Sequence, residues 1–159
     1  MTPVLMILKI PVEIVELDKH SYHLFVEVFV NGQRCDMIID TGASKTVFAL
    51  NHINPMLEVP ASIQSGIQSA GINAGDLKSH QGVLRHFRIG DFFVAQFEII
   101  LIDLSSIDQI YSKLSSKSVW GLIGSDFLFK YKAKLDYGKR MLILHVPRSN
   151  IVQTPTAEI

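Results

Sequence analysis

The stretch Ile38-Ile39-Asp40-Thr41-Gly42-Ala43-Ser44 places a carboxyl group directly after the apolar end of a predicted strand. Aspartate and glycine are common in turns, so the tripeptide from Asp40 to Gly42 could be a turn and nothing more. A carboxylate beside a buried strand, however, loses solvation, and its charge is disfavoured unless hydrogen bonds support it. The Thr41 and Ser44 hydroxyls and the Gly42 amide are donors of that kind. The stretch therefore predicts an acid positioned for proton transfer beside an apolar groove.

Segments on both sides of residues 38–44 have the alternating or β-branched composition of strands. Two turn sequences, Asn31-Gly32 and Gly90-Asp91, predict hairpins. Helical patterns are sparse and occur at 103–111, with apolar residues at 107, 110, 111 and 114, and at 125–131. The predicted strands are 4–15 (broken at Pro11), 22–30, 34–39, 82–89, 92–102, 134–137 and 141–146. The pattern predicts one mostly β domain with a weak two-fold internal repeat and one or two short helices.

Length and composition agree with one globular domain, because the chain has 159 residues and 48% of them are apolar. Lys and Arg total 15, as do Asp and Glu, so a net charge of zero provides no field for nucleic acid or anionic lipid. The single cysteine, Cys35, cannot form an internal disulfide and is expected to be a buried structural thiol. We assign residues 1–147 to the domain and residues 148–159 to a C-terminal tail.

Targeting and cofactor signals are missing from the sequence. The apolar run Val4–Leu8 has five residues and lacks a basic start and a cleavage site, whereas a spanning helix needs roughly 20 apolar residues. The six histidines have no spacing typical of a metal motif. We expect a cytoplasmic protein with no metal, no cofactor, no nucleic-acid partner and no membrane partner.

Two motifs together resemble a known family. Residues 38–44 are similar to the active-site loop of aspartic proteases, and the short chain is similar to the retroviral type, the retropepsins, and their stand-alone relatives. The stretch Leu122-Ile123-Gly124-Ser125-Asp126-Phe127-Leu128 resembles the apolar-apolar-glycine segment and following helix of that family. The resemblance covers about residues 22–146 and implies a retropepsin-like acid protease barrel with one lobe per chain.

One departure from the retroviral pattern concerns a charge pair. Retroviral enzymes often carry Asp and Arg at the positions that are Ser44 and Ser125 in this chain. The departure leaves the acid in place and is consistent with a non-retroviral member. Because the sequence begins with Met1 and shows no adjoining viral protein sequence, we expect a stand-alone reading frame and not a polyprotein fragment.

The resemblance implies an aspartic endopeptidase that hydrolyses peptide bonds with a water held between two carboxylates. The sequence has one Asp-Thr-Gly, so each chain supplies half of the site and the active form is a symmetric homodimer with Asp40 of each chain at the axis. Thr41 braces the two loops across that axis. The catalytic residues are therefore Asp40, Thr41 and Gly42.

The substrate is expected to be a peptide or protein segment that binds in extended form, as an added strand. The glycine-bearing segment Ala70–Gly75 lies where a flap would close over the groove, although a surface loop has the same composition. The substrate-binding residues are expected to be Ala43, Ser44, Gly71, Ile72, Leu122 and Ile123.

Two questions stay open from sequence alone. Fold does not guarantee activity, so the alternative is a catalytically silent retropepsin-fold module for dimerisation or peptide binding. The apolar segments 4–10 and 141–146 could pair across the dimer axis or could be ordinary core strands.

Overall fold

The computed structural model describes residues 2–57, 61–64 and 78–152 and confirms a mostly β chain with short helices. The helices are α1 (Leu50–Ile53), α2 (Ser105–Leu114) and α3 (Ser125–Lys130), with 3₁₀ turns at Asn54–Met56 and Arg148–Asn150. The strands are β1 (Leu5–Pro11), β2 (Glu13–Asp18), β3 (Ser21–Val30), β4 (Gln33–Ile39), β5 (Val47–Ala49), β6 (Ser62–Gln64), β7 (Ser79–Ile89), β8 (Phe92–Ile102), β9 (Gly121–Ile123), β10 (Lys134–Asp136) and β11 (Met141–Pro147). None of the described helices is long and apolar enough to cross a bilayer.

The larger of two sheets closes on itself. Its strand order is β2-β3-β4-β9-β5-β8-β7-β6, and β3 also pairs with β7 from Val28↔Ile89 to Val30↔Phe87. This extra pairing joins the two ends of the run from β3 to β7, so that the strands form a small barrel. The closure agrees with the expectation of one barrel-shaped lobe per chain.

The predicted hairpin at Asn31-Gly32 is confirmed. Both residues have positive φ, 48° and 84°, and the flanking strands pair Val30↔Gln33. Positive φ at both central residues is the geometry of the type I′ turn, which asparagine and glycine adopt at low cost.

The barrel interior is filled by aliphatic and aromatic side chains. Phe48 and Phe87 are each 1% exposed, and their rings meet edge to face at 5.9 Å. Cys35 is buried, as expected, and that burial raises the pKa of its thiol to about 12. A thiol in this state is a packing group and a poor nucleophile.

Helix α2 forms where it was predicted, but its apolar face was predicted too broadly. Tyr111 is buried, whereas Ile110 is 54% exposed and Leu114 is 57% exposed. The helix packs on β2 and, through Tyr111, on β3, so just part of the 107-110-111-114 stripe faces the domain.

The first and last strands pair within the chain. β1 lies antiparallel to β11, and β11 pairs with β10, so these three strands form a separate small sheet. One face of β11 is buried through Leu142, Leu144 and Val146. β1 is the edge strand of this sheet, and Val4 to Ile7 stay exposed. After β11 the chain continues along the domain, where Val152 N donates to Asp91 O at 2.8 Å.

Candidate active site

Asp40 lies at the point where β4 ends and the chain leaves the barrel wall. β4 runs parallel to β9 through the pairs Ile38↔Leu122 and Ile39↔Ile123. The ladder continues by one bond, because Asp40 N donates to Ile123 O at 2.9 Å. The two motifs found in the sequence are therefore adjacent in space, and the second holds the backbone of the first.

The loop after Asp40 folds back on the carboxyl group. Gly42 N donates to Asp40 Oδ1 at 3.0 Å, and Ala43 N donates to the Asp40 carbonyl at 3.2 Å. A Cβ at position 42 would lie 3.3 Å from Asp40 Oδ1, so glycine gives the carboxyl group room. Asp40 is half-buried and Thr41 and Gly42 are exposed. The carboxyl group is thus oriented by its own loop and still reaches solvent.

The segment after β9 closes tightly on the far side of the same loop. Ser125 N donates to Ala43 O at 2.8 Å, and Gly124 N donates to Thr46 Oγ1 at 3.0 Å. A Cβ on Gly124 would lie 2.6 Å from both the carbonyl carbon and the carbonyl oxygen of Lys45. Glycine is required here because two backbone segments approach more closely than a side chain permits.

Asp126 is a structural residue of the site that sequence reasoning missed. Its Oδ1 accepts hydrogen bonds from Thr46 N at 2.8 Å, from Thr46 Oγ1 at 2.7 Å and from Phe127 N at 2.8 Å. An acidic residue in the first turn of α3 was visible in the sequence and suits a helix N-terminus. Its partner, 80 residues away, had no sequence signal.

The two serines that replace the retroviral charge pair are also close together. Ser125 Oγ donates to the Ser44 carbonyl at 3.5 Å, which is a weak contact. The stronger connection between the same two segments is the one from Asp126 to Thr46. In this chain the two segments are joined chiefly by Asp126 and Thr46, one residue after Ser125 and two residues after Ser44.

Removal of the Asp126 carboxylate is expected to destabilise the loop. In Asp126→Ala, three donors lose their acceptor, and we expect the free energy of unfolding to fall by about 1–3 kcal/mol. Urea denaturation measures this change. Asp126→Asn keeps an acceptor oxygen and serves as the matched control, with a smaller loss; equal stability of wild type and Asp126→Ala would contradict the assignment.

A Ser, His and Asp cluster lies elsewhere in the domain and does not form a nucleophilic triad. His52 Nε2 contacts Asp108 Oδ2 at 3.0 Å, and the same nitrogen contacts Ser118 Oγ at 3.3 Å. A triad needs the acid and the hydroxyl on opposite ring nitrogens. Burial opposes ionisation of Asp108, but hydrogen bonds from Val119 N, His52 and Ser118 outweigh it and lower its pKa. The cluster ties α1, α2 and the segment before β9 together.

The remaining predicted site residues have different placements. Leu122 and Ile123 lie beside Asp40 on β9 and are buried, 4% and 1% exposed. Ala43 is buried and Ser44 is exposed in the loop itself. Gly71 and Ile72 lie outside the described residues. Among the residues that are described, no three His, Cys, Asp or Glu side chains come together as a metal site.

The chain is similar to solved structures and to a family model. A structure titled as a retropepsin-like aspartic protease from Rickettsia conorii is 18% identical, covers 91% of this chain and 94% of its own, and has a TM-score of 0.50. The retroviral protease-like domain of Ddi1 from Leishmania major is 12% identical, with 81% of this chain and 98% of its own covered and a TM-score of 0.46. A search of curated proteins gave no match. The family model described as aspartyl protease matches residues 26–127, more than half of the chain. The chain therefore belongs to the aspartyl protease family and has the retropepsin-like fold.

Proposed function

We propose that this protein is an aspartic endopeptidase that works as a symmetric homodimer, with one Asp40 from each chain. The observation that carries the proposal is the Asp40 loop. It orients a half-buried carboxyl group through Gly42 N and leaves it accessible to solvent. With a single Asp-Thr-Gly per chain, a second copy is the simplest source of the second carboxylate.

The chemistry follows from placing two such carboxyl groups together. Two like charges about 3 Å apart do not both ionise, so the pair shares one proton. The charged member takes a proton from a bound water, and the neutral member donates a proton to the carbonyl oxygen of the peptide bond. The water attacks the carbonyl carbon, and no covalent intermediate with the protein forms. Thr41 braces the two loops, and Gly42 N keeps each carboxyl group in its orientation.

The substrate groove is proposed to lie over Asp40, with the segment that contains Gly71 and Ile72 as its flap. β6 and β7, which flank that segment, pair antiparallel from Ser62↔Gln81 to Gln64↔Ser79. This pairing brings the two ends of the segment close together. Ala43, Ser44, Leu122 and Ile123 are the described residues proposed to contact an extended substrate.

The exposed edge of β1 is the proposed contact between the two chains. Ile7 is 63% exposed and Leu5 is 43% exposed on a strand with one paired neighbour in the described chain. An apolar strand edge of this kind invites pairing with another strand.

A charge on that edge is expected to weaken the dimer. We expect Ile7→Asp to raise the dimer dissociation constant by at least about tenfold, because the new carboxylate would be desolvated at the contact. Sedimentation equilibrium measures the constant, and Val83→Asp, at an exposed apolar position of β7, is the matched control. Identical association of the two variants would exclude β1 as the contact.

The proposed activity is tested by incubating the wild type with a diverse peptide library between about pH 4 and pH 7. Cleavage that a statine-type transition-state mimic inhibits supports the endopeptidase. Peptides that bind and stay intact would instead support the alternative, a silent peptide-binding module.

A further inference from the structure

Tyr111 and His23 form a polar pair beside the buried ring of Phe25. Tyr111 OH lies 2.8 Å from His23 Nδ1, and the two rings meet edge to face at 5.3 Å. Tyr111 also packs edge to face on Phe25, two residues further along β3. The tyrosine on α2 therefore covers one face of β3 near the start of that strand.

This pair lies on the same face as Asp40. The antiparallel pairing of β3 with β4 begins at Phe25↔Ile38. When the same register is extended by two residues toward the start of β3, His23 lies level with Asp40. Side chains alternate along a strand, so His23 shares a face with Phe25, and Asp40 shares a face with Ile38. Phe25, Ile38, Tyr111 and Leu122 belong to one buried cluster. This buried cluster lies against the pair and extends to Ile38, two residues before Asp40.

Electrostatics agree with this placement. Burial is the main cause that raises the pKa of Tyr111, and the negative charge of Asp40 raises it further. The phenol is therefore neutral, and its hydroxyl proton needs an acceptor, which His23 Nδ1 provides. In that arrangement the imidazole carries its proton on Nε2. Within the described chain Nε2 has no protein partner, and His23 is half-buried, so a donor is left open to solvent.

We propose that the pair of Tyr111 and His23 forms a polar wall of the substrate groove and selects a substrate side chain with a carboxamide or carboxylate oxygen beside the cleaved bond. Tyr111 orients the imidazole, and His23 Nε2–H donates to that oxygen. The inference rests on the proposed function, because it assigns specificity to the groove over Asp40. Tyr111 is a positioning residue in this scheme, and His23 is the residue that touches substrate.

The test uses three peptides that differ only in the residue flanking the cleaved bond: Gln, Glu or Leu. We expect the wild type to cleave the Gln and Glu peptides with kcat/KM about fivefold to tenfold above the Leu peptide, the size of one net hydrogen bond. His23→Phe with Tyr111→Phe makes the wall apolar and should remove or reverse this preference. Tyr111→Phe alone, which keeps the packing on Phe25, should remove part of it.

Two controls separate specificity from folding. Tyr137→Phe changes an exposed tyrosine in the turn before β11. It should leave the kcat/KM ratios of the Gln and Glu peptides to the Leu peptide unchanged. His23→Gln keeps a side-chain N–H donor at this position, so it should retain part of the preference for the Gln and Glu peptides over the Leu peptide. A role confined to attaching α2 would lower stability without moving these ratios, and ratios that stay constant in the double variant would overturn the inference.

Binding measurements keep this result distinct from the activity itself. The affinities of the same peptides are also measured by fluorescence anisotropy in variants that carry Asp40→Asn, which is expected to prevent cleavage. With Asp40→Asn alone, the Gln and Glu peptides should bind more tightly than the Leu peptide. With His23→Phe and Tyr111→Phe added, this difference in affinity should disappear. If the wild type cleaves none of the peptides and the binding pattern is still observed, the endopeptidase proposal is wrong and the polar wall is supported. If the wild type cleaves peptides but all three bind equally, the endopeptidase stands and the polar wall is overturned.

Discussion

Asp40→Asn is expected to reduce peptide cleavage by at least about a thousandfold, because a general base or acid contributes roughly 10²–10⁴-fold and the dimer loses both carboxyl groups. Asparagine has nearly the same shape, and its amide oxygen can still accept from Gly42 N, the bond that orients the native side chain at 3.0 Å. Fold and assembly should therefore be preserved. Cleavage is measured with a fluorogenic peptide, and stability is measured by thermal denaturation.

The control for this variant is Asp91→Asn, at an exposed aspartate in the turn between β7 and β8. It should cleave at the wild-type rate. Assembly offers a second readout, because two carboxylates that face each other repel once both are ionised. The wild-type dimer should weaken as pH rises, and the Asp40→Asn dimer should weaken less. Persistent cleavage by Asp40→Asn would refute the proposed mechanism.

Gly124→Ala is expected to lower the free energy of unfolding by about 2–4 kcal/mol and to abolish most cleavage, as overpacking against backbone does. The added methyl group would lie 2.6 Å from the Lys45 carbonyl and 2.9 Å from Ala43 O. Both contacts are backbone atoms of the loop that begins at Asp40. Relief of the clash therefore requires that loop to move away from β9.

The matched control is Gly138→Ala in the turn before β11. A Cβ there would lie 3.5 Å from Asp136 Oδ1, which is ordinary contact. We expect its stability to be within about 0.5 kcal/mol of wild type, as for other surface changes. Urea denaturation of both variants beside wild type measures the difference, and equal stabilities would mean that the loop adapts to the methyl group.

Local sequence was sufficient for several features because their causes are local. The Asn31-Gly32 turn follows from the tolerance of these residues for positive φ. The β-branched and aromatic runs predict β3, β7 and β8. The Asp40 loop carries its own glycine and threonine directly after an apolar strand, so the candidate acid could be predicted from residues 38–44 together with the second motif at 122–128.

Long-range packing decided the features that the sequence left open or hid. Asp126 reaches Thr46 across 80 residues, and Tyr111 reaches His23 across 88. A single hydrogen bond between distant residues has no period that a sequence pattern can display. The terminal strands were ambiguous for a related reason, since an apolar strand is equally suited to its own core and to another chain. The small second sheet places β11 between β1 and β10 of the same chain, and in the larger sheet the parallel pairing of β4 with β9 brings the two motifs together.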